Sequence, residues 1–385
     1  MFKRACLPRQ ARFCVQHSSW TIPPDLSWFP CGNPNSPLSR KRPLGAKTAR
    51  FGVFDLFGAG HVLGAAASLS IATSHLPLAP EANVAPENEG DGTLLMISSL
   101  REDIEHRLRF LLPPEDRAPS HLHAAMRYSV LSPGKRLRPL ITALVARQCG
   151  GNKPAALDAG CAVEMVHAAS LVIDDLPAMD DAELRRARQT THRVYGEATG
   201  ILAAISVMNQ AYGIVAGLKG VGADNRAKLV SLFTQAIGPE GLAGGQEYDV
   251  NGAAGASAAD IETVNRRKTG ALFSLAAQAG ALTNGVAEQG TRLNHLDDFG
   301  NHLGLAFQTL DDILDVKAAS SAGTGKDKDQ DGGKPTLARV KGLDVAHAAV
   351  RHHVDEALEA FEAGTGHSPD MRRLTGLVFD AALKG

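Results

Sequence analysis

The chain is organised around residues 170–186, which read Ser-Leu-Val-Ile-Asp-Asp-Leu-Pro-Ala-Met-Asp-Asp-Ala-Glu-Leu-Arg-Arg. An apolar run ends here in four carboxylates, those of Asp174, Asp175, Asp180 and Asp181. Carboxylates this close together repel one another strongly unless cations lie between them. A solvated acidic helix end is the simpler alternative, but acidic side chains at a helix C-terminus oppose the helix dipole and need a compensating cation. The stretch therefore predicts a cation-binding site at the end of a buried helix.

A second acidic set lies far down the chain, where Asp311-Asp-Ile-Leu-Asp315 follows another apolar run. On a helix, Asp315 lies four residues after Asp311 and three after Asp312, so the three side chains share one face. Two such sets predict one divalent-metal site built by two helices. Carboxylate oxygens with room for water suit Mg²⁺ better than zinc or copper, so Mg²⁺ is the expected ion.

Basic side chains cluster in Gly134-Lys-Arg-Leu-Arg-Pro139, just before a predicted helix. Alone, this cluster could equally be a solvated turn. Together with Arg185 and Arg186 it becomes a candidate phosphate clamp, because guanidinium groups bind phosphate oxygens bidentately and stay charged at any working pH.

The composition is that of a globular protein with a sizeable core: 385 residues, 44% of them hydrophobic. The formal net charge of -1 gives no overall basic field, which argues against a nucleic-acid partner. Five cysteines without a CxxC pair argue against a disulfide framework or a zinc site and favour a reducing compartment. No apolar run in the first hundred residues reaches the ~20 residues that a membrane-spanning helix needs, so we expect no integral membrane segment.

Residues 1–95 differ from the rest, since they hold 10 of the 20 prolines without a helical or strand period. We expect this extension to be mostly disordered. Up to Arg50 it carries nine Lys/Arg against the single acidic Asp25, which is compatible with an organelle-targeting segment. Met96 stands just before the first convincing helix, so a start annotated too far upstream is an equal alternative. Cytoplasmic location is the default expectation.

A folded domain is predicted over residues 96–385, because apolar residues recur there at helical spacing between short breaks. Alternating β-branched runs are missing, which predicts a single all-α bundle around a central cavity. We expect Gly238-Pro-Glu-Gly and Gly244-Gly to break helices. The predicted helices are 97–111, 121–131, 137–148, 155–174, 200–218, 226–237, 259–282, 297–316 and 343–362.

An ordered set of short motifs accompanies the acidic sets. In chain order they are Gly134-Lys-Arg-Leu-Arg-Pro, His167 seven residues before Asp174, the first acidic set with Leu-Arg-Arg, Gly244-Gly-Gln, Lys268-Thr-Gly, Phe307-Gln and the second acidic set. With this set the chain resembles the trans-isoprenyl diphosphate synthases. In Tyr195-Gly-Glu, Ile201-Leu-Ala-Ala and Gly325-Lys-Asp-Lys-Asp-Gln-Asp-Gly-Gly-Lys-Pro-Thr-Leu it is most similar to the geranylgeranyl diphosphate synthases of bacterial carotenoid pathways.

The resemblance implies a homodimeric prenyltransferase that condenses allylic diphosphates with isopentenyl diphosphate. About three Mg²⁺, or Mn²⁺ as an alternative, would be held by Asp174, Asp175, Asp180, Asp311, Asp312 and Asp315. The allylic diphosphate would be bound by Arg185, Lys268 and Lys326, with Lys334 as a further candidate. Isopentenyl diphosphate would lie in a metal-free pocket formed by Lys135, Arg138, His167 and Arg186. Thr269 and Gln308 would line the path of the carbocation, and Gln246 and Asp249 would lie near the metals.

Two of these assignments have simpler alternatives. A lone histidine on an apolar helix face, such as His167, is usually a core residue, and Thr269 and Gln308 could equally be packing residues. Product length depends on the small residues one turn before the first aspartate, Ala169 and Ser170. They leave room for a C20 product where an aromatic ring would favour C15. A farnesyl or other chain-length synthase, and a non-catalytic subunit of a heteromeric synthase, remain the alternatives.

Overall fold

The computed structural model describes residues 89–252, 257–284, 290–320 and 335–383. Nearly all of these residues are helical, so the all-α prediction is confirmed. Within these ranges the only strands are β1 (Leu184–Arg185) and β2 (Arg188–Gln189), which pair antiparallel. The predicted extension lies mostly outside the described residues, and so do Lys326 and Lys334.

The described part of the chain contains fourteen α-helices joined by short connections. They are α1 (Glu89–Leu111), α2 (Ser120–Val130), α3 (Leu137–Gln148), α4 (Lys153–Asp174), α5 (Thr191–Tyr195), α6 (Glu197–Ala216), α7 (Ala223–Ile237), α8 (Leu242–Asn251), α9 (Ala258–Asn265), α10 (Ala271–Leu282), α11 (Gly290–Ser320), α12 (Leu337–Lys341), α13 (Leu343–Thr365) and α14 (Pro369–Leu383). A π-helical turn, Arg266–Gly270, joins α9 to α10.

The centre of the bundle is formed by α4 and α10, whose sequences are apolar on almost every face. A helix that is apolar all round belongs in a core. The first of these helices packs against α3, α6 and α10, and α11 packs against α10 and α13. Phe273, Phe299 and Phe361 are fully buried, and each contributes about 1.5–3 kcal/mol of hydrophobic stabilisation.

Both ends of α4 are set by its local sequence. At the start, the Asn152 side chain accepts a hydrogen bond from the backbone N of Ala155 at 3.1 Å. At the other end Asp175 is the C-cap, and the following Leu176-Pro177 step disfavours further helix because a residue before proline avoids the α conformation. The acidic set therefore lies where a buried helix stops.

All nine predicted helical segments are helical, with one important interruption. The segment predicted as 259–282 contains the π-helical turn in its middle. Here the backbone of α11 comes into direct contact with the turn, since a Cβ on Gly304 would lie 2.5 Å from the Cα of Gly270. Single π-turns are frequent at functional sites, and this one carries Lys268 and Thr269.

The predicted break at Gly244-Gly is wrong, because both glycines lie inside α8. The break occurs only at residues 238–241, between α7 and α8. A Cβ on Gly245 would lie 2.5 Å from the backbone N of Lys268. The glycine is therefore required for close approach of α8 to the π-helical turn, and it does not end a helix.

The first helix begins at Glu89, before Met96. Its buried residues Ile97, Ile104 and Leu108 belong to the main core. The start of the folded domain at residue 96 stays a prediction. A shortened protein that preserves the whole of α1 must start no later than Glu89.

By length and apolar composition, α4 and α6 could each span a membrane. However, 72% of the apolar window of α4 is buried inside the fold, as expected for a core helix. The corresponding share for α6 is 33%, so this helix presents an apolar face to the outside.

Candidate active site

A cavity of about 1140 Å³ opens between the helices of the bundle. Its walls come from α1, α3, α4, α8, α9, the π-helical turn, α11 and α12. The structure brings most of the predicted site residues together here. Those that line the cavity are Lys135, Arg138, His167, Ser170, Asp174, Asp180, Arg185, Arg186, Lys268, Thr269, Gln308, Asp311, Asp312 and Asp315.

One group of cavity-lining residues, here called the acidic end, consists of Asp174 and Asp180 at and after the end of α4, and Asp311, Asp312 and Asp315 on α11. The turn after α4 is closed by a hydrogen bond from the backbone N of Asp180 to the carbonyl of Asp174 at 2.9 Å. Burial raises the pKa of Asp174 to about 6, opposed by Lys268 and reinforced by Asp180. Burial also raises the pKa of Asp312 to about 6. Burial therefore favours the protonated form of both carboxylates unless a cation is bound.

Lys268 provides a fixed cation at the acidic end. Its Nζ donates to Oδ2 of Asp249 on α8 at 2.6 Å. Because the backbone of Lys268 contacts Gly245, α8 and the π-helical turn hold this pair in place. Beside it, Thr269 Oγ1 donates to Oε1 of Gln308 at 2.9 Å, and Nε2 of Gln308 donates to Oδ1 of Asp312 at 3.1 Å. These two hydrogen bonds fix the orientation of the Gln308 side-chain amide.

Asp175 does not join the other carboxylates. It is only 4% exposed and is not among the residues that line the cavity. Its Oδ1 accepts a hydrogen bond from Nε of Arg185 at 2.8 Å, and burial raises its pKa despite that guanidinium. Asp175 is the C-cap residue of α4 and holds Arg185, which does line the cavity. Its predicted role as a metal ligand remains untested.

A second group of cavity-lining residues, here called the basic end, consists of Lys135, Arg138, His167 and Arg186. The Arg138 guanidinium lies 4.5 Å from the centre of the Phe273 ring, and its Nε has no hydrogen-bond partner within the described structure. Burial, with a contribution from Arg186, lowers the pKa of Arg138 to about 10. Burial and the neighbouring Arg138 lower the pKa of His167 well below its ordinary value, so this imidazole is neutral. It lies at the cavity wall.

Arg136 does not have the contacts expected of a residue in the predicted phosphate clamp, because its guanidinium is bound to carboxylates. It is 3% exposed, and its guanidinium donates to Glu105 at 2.7 Å and to Glu164 at 2.9 Å. Burial acts to lower the pKa of Arg136, but the two glutamates raise it above its ordinary value. Its backbone has a φ of 53°, which turns the chain into α3. The contacts make Arg136 a structural residue of the loop.

The two small residues predicted to control product length occupy different positions. Ser170 lines the cavity, whereas Ala169 is fully buried and is not among the lining residues. The sequence pattern placed both on one turn of α4, and only the packing of the helix distinguishes them.

The donor set at the acidic end fits Mg²⁺ that is bound together with a phosphate ligand. Within the described ranges no three His, Cys, Asp or Glu side chains lie close enough to enclose one ion. Mg²⁺ usually takes one or two carboxylates and completes its shell with water and substrate phosphates. Gln246 supports a polar occupant, because both of its side-chain amide atoms are buried at this cavity without a partner in the described structure.

Several residues that line the cavity were not predicted from the sequence. They include Arg101 on α1, Glu164 on α4, Tyr248 on α8 and Arg339 on α12. Arg339 lies close enough to Asp312 for its charge to act against the raised pKa of that carboxyl. No sequence signal distinguishes Arg101, because α1 carries two other arginines, Arg107 and Arg109.

Comparison with known proteins agrees with this arrangement. A geranylgeranyl diphosphate synthase from Pseudescherichia vulneris is 40% identical over 280 residues, covering 72% of this chain and 87% of that protein. A farnesyl diphosphate synthase from Geobacillus stearothermophilus is 37% identical, covering 62% of this chain and 81% of that protein. The crystal structure of an FPP/GFPP synthase from Zymomonas mobilis superposes with a TM-score of 0.65 at 27% identity, covering 76% of this chain and 99% of the other. A family model for polyprenyl synthetase matches residues 119–371, which include the basic loop and both acidic sets, and the chain therefore belongs to the polyprenyl synthetase family.

Proposed function

We propose that the protein is a geranylgeranyl diphosphate synthase, which joins dimethylallyl, geranyl or farnesyl diphosphate to isopentenyl diphosphate and releases diphosphate. The observation that carries this proposal is that one cavity is lined by both the acidic and the basic group of side chains. A diphosphate bound through metal ions fits the first end, and a diphosphate bound directly by protein cations fits the second. The 40% identity to a geranylgeranyl diphosphate synthase supports the same assignment.

The acidic end holds the allylic substrate in this proposal. Mg²⁺, when bound, neutralises the allylic diphosphate and makes it a better leaving group. About three ions, with Mn²⁺ as an alternative, would be held by Asp174, Asp180, Asp311, Asp312 and Asp315. Asp175 contributes by orienting Arg185, to which it is hydrogen-bonded.

Fixed cations assist departure of the same diphosphate. Lys268 and Arg185 line the cavity and donate to the oxygens on which negative charge accumulates as the carbon–oxygen bond breaks. Lys326 would add a third cation from the segment after α11. Because Lys268 is already held by Asp249, it needs little reorganisation when the substrate arrives.

The basic end holds isopentenyl diphosphate without metal. Arg138 and Arg186 bind its phosphate oxygens through paired N–H groups, and Lys135 adds a point charge. His167, being neutral, donates one N–H to the same group. The double bond of this substrate then attacks the allylic carbocation, a new carbon–carbon bond forms, and the released diphosphate takes the proton that leaves.

Thr269 and Gln308 stabilise the cation between the two ends. The hydrogen bond from Thr269 to Oε1 of Gln308, and that from Nε2 of Gln308 to Asp312, fix the two dipoles before the reaction. Fixed dipoles stabilise a developing charge without the cost of reorganisation.

Product length is proposed to be C20, because the residues one turn before Asp174 are small. Substitution tests this directly. Ser170→Phe places an aromatic ring in the cavity wall and should shift the main product toward C15, while Ala169→Phe should do so only by displacing the helices around it. Unchanged C20 product from both variants would show that another part of the cavity limits the chain.

We also propose that the enzyme acts as a homodimer through the apolar face of α6. Ile201, Leu202 and Ile205 are 43%, 54% and 50% exposed and follow one another on the same side of this helix. An apolar face of this kind on a helix is typical of a protein interface. Ile205→Glu should yield monomers in size-exclusion chromatography with light scattering, and an unchanged mass would reject this face.

The product assay decides the function. Purified protein with Mg²⁺ and labelled isopentenyl diphosphate is incubated with each allylic starter, and the products are separated by chromatography. A C20 product supports the proposal, and a C15 end product from dimethylallyl diphosphate would favour a farnesyl diphosphate synthase. Absence of any product, combined with stimulation of a catalytic relative, would identify a non-catalytic subunit. We place the activity in the cytoplasm, with targeting by the N-terminal extension as the alternative.

A further inference from the structure

The Arg138 side chain is held in an unusual way for a buried cation. Arg138 is only 8% exposed, and its Nε has no hydrogen-bond partner among the residues that the structure describes. Its guanidinium lies instead 4.5 Å from the centre of the Phe273 ring on α10. The face of an aromatic ring carries partial negative charge and attracts a cation placed over it. The ring therefore takes the place that a carboxylate has for Arg136.

The ring of Phe273 has a fixed position relative to the helix that carries Arg138. One turn after Arg138, the Oγ1 of Thr142 donates to the carbonyl of Ala276 on α10 at 2.8 Å. A Cβ on Gly280 would lie 2.5 Å from the carbonyl oxygen of Thr142, so the backbones of α3 and α10 are in direct contact. Phe273 itself is fully buried. The guanidinium thus lies against a surface that cannot easily move.

A second ring continues this surface. Phe307 on α11 lies with its ring centre 5.5 Å from that of Phe273, and Nζ of Lys135 lies 5.6 Å from the centre of the Phe307 ring. Two cations of the basic end therefore lie over two rings that contact each other. A ring face attracts a cation without bringing a full negative charge that would cancel it. This arrangement holds cations in place and keeps their charge for an anion.

We propose that Phe273 is a positioning residue, which holds the Arg138 guanidinium where it binds the diphosphate of isopentenyl diphosphate. This inference rests on the proposed function, because the substrate of Arg138 comes from it. Phe273 is not among the residues that line the cavity, so it acts on the substrate only through Arg138. It adds α10 to the elements that determine the affinity for this substrate.

Steady-state kinetics of Phe273→Leu test the proposal. Loss of the ring should raise KM for isopentenyl diphosphate about 2- to 30-fold, the range expected for a desolvated cation–π contact. KM for farnesyl diphosphate and kcat should stay unchanged, because the ring contributes equally to ground-state and transition-state binding. Phe273→pentafluorophenylalanine keeps the shape of the ring and reverses the charge of its face, so it should raise the same KM at least as much.

Phe233→Leu on α7 is the matched control. Phe233 is fully buried against Tyr212, does not line the cavity and has no cation over its ring in the described structure. Both Leu variants should lose stability in denaturant unfolding, because each removes part of a buried ring. Only Phe273→Leu should change KM for isopentenyl diphosphate. Equal rises of KM for both substrates in Phe273→Leu would reduce Phe273 to a packing residue and overturn the proposal.

A double-mutant cycle shows whether Phe273 acts through Arg138. In the Arg138→Met background, Phe273→Leu should raise KM for isopentenyl diphosphate no further, since the contact is already lost. Additive effects, or an unchanged KM in both single variants of Phe273, would overturn the positioning role while leaving the proposed function intact. A wild-type protein that forms no prenyl product would instead reject the proposed function.

Discussion

The two ends of the cavity contrast in how they compensate like charges. At the acidic end burial raises the pKa of Asp174 and Asp312 to about 6, and at the basic end burial lowers the pKa of Arg138 to about 10. The protein places cations near the carboxylates, but Lys268 is paired with Asp249 and Arg185 with Asp175. Glu164 at the basic end is paired with Arg136. A bound cation would lower the pKa of Asp174 and Asp312, and a bound anion would raise the pKa of Arg138.

The largest expected effect is loss of a carboxylate that faces the cavity. Asp174→Asn should lower kcat about 10²–10⁴-fold, because charge stabilisation through metal ions is worth several kcal/mol. Asp181→Asn is the matched control: Asp181 is exposed, is not among the cavity-lining residues and has a positive φ that asparagine tolerates. Steady-state kinetics at saturating Mg²⁺ measure kcat of both variants. Equal kcat values for Asp174→Asn and Asp181→Asn would contradict the assignment of the acidic end as the metal site.

The next comparison lies inside the basic loop and separates binding from folding. Arg136→Met should destabilise the fold by about 3–5 kcal/mol, because it leaves Glu164 and Glu105 without their cation. Arg138→Met should keep most of the stability, since its stem can still pack on Phe273, and should raise KM for isopentenyl diphosphate about 10- to 100-fold.

Chemical denaturation and steady-state kinetics of the two variants distinguish these outcomes. A stable Arg136→Met protein with a selectively raised KM would return Arg136 to the phosphate clamp. Normal kinetics in Arg138→Met would remove Arg138 from the basic end.

The sequence was sufficient to predict the residue composition of the acidic end and the basic end. It was insufficient to predict the contacts of individual side chains. Acidic and basic motifs were predictable because like charges in a cluster need a counter-charge wherever they fold. Arg136 has a φ of 53° and pairs with two glutamates, whereas Arg138, two residues further on, packs against the Phe273 ring. That backbone conformation depends on the packing of the loop, which local sequence does not encode.

The role of Gly245 and the position of the π-helical turn were also not predictable from the local sequence. Gly244-Gly has the composition of a helix break, yet Gly245 is needed where α8 meets the backbone of Lys268. The requirement comes from a residue far away in the chain, so no local pattern can reveal it. Arg101 was not predicted for the same reason, because its hydrogen bond goes to the Gly134 carbonyl of another element.

Stability in the absence of metal should change with pH because of the acidic end. The folded pKa of Asp312 is raised from 3.8 to about 6, so between these values the folded protein holds a proton that the unfolded chain has released. The contribution of Asp312 to stability therefore falls as pH rises through this window and stays low above it. Asp312→Asn keeps an acceptor for Nε2 of Gln308 and removes the charge.

We expect Asp312→Asn in EDTA to be about 1–3 kcal/mol more stable than the wild type at pH 7.5 and equally stable near pH 4. Denaturant unfolding at the two pH values measures this difference. Added Mg²⁺ with diphosphate should stabilise the wild type more than the variant, since binding to the folded state alone adds stability. A less stable variant at pH 7.5 would show that the charge of Asp312 is already compensated by the protein.

The smallest effect is expected at Asp175. From the sequence alone, this residue could bind a metal ion or hold a cation of the site. Its Oδ1 holds Nε of Arg185 at 2.8 Å, so it acts on a cation of the site and its carboxylate lies outside the cavity. Asp175→Asn keeps an acceptor for Arg185 and should raise KM for the allylic diphosphate by a few-fold to about tenfold, with an unchanged Mg²⁺ requirement. Titration of activity with Mg²⁺ in Asp174→Asn and Asp175→Asn separates the two roles. A weakened Mg²⁺ dependence in both would mean that Asp175 turns into the cavity when substrate binds, and the acidic end would then contain all six aspartates.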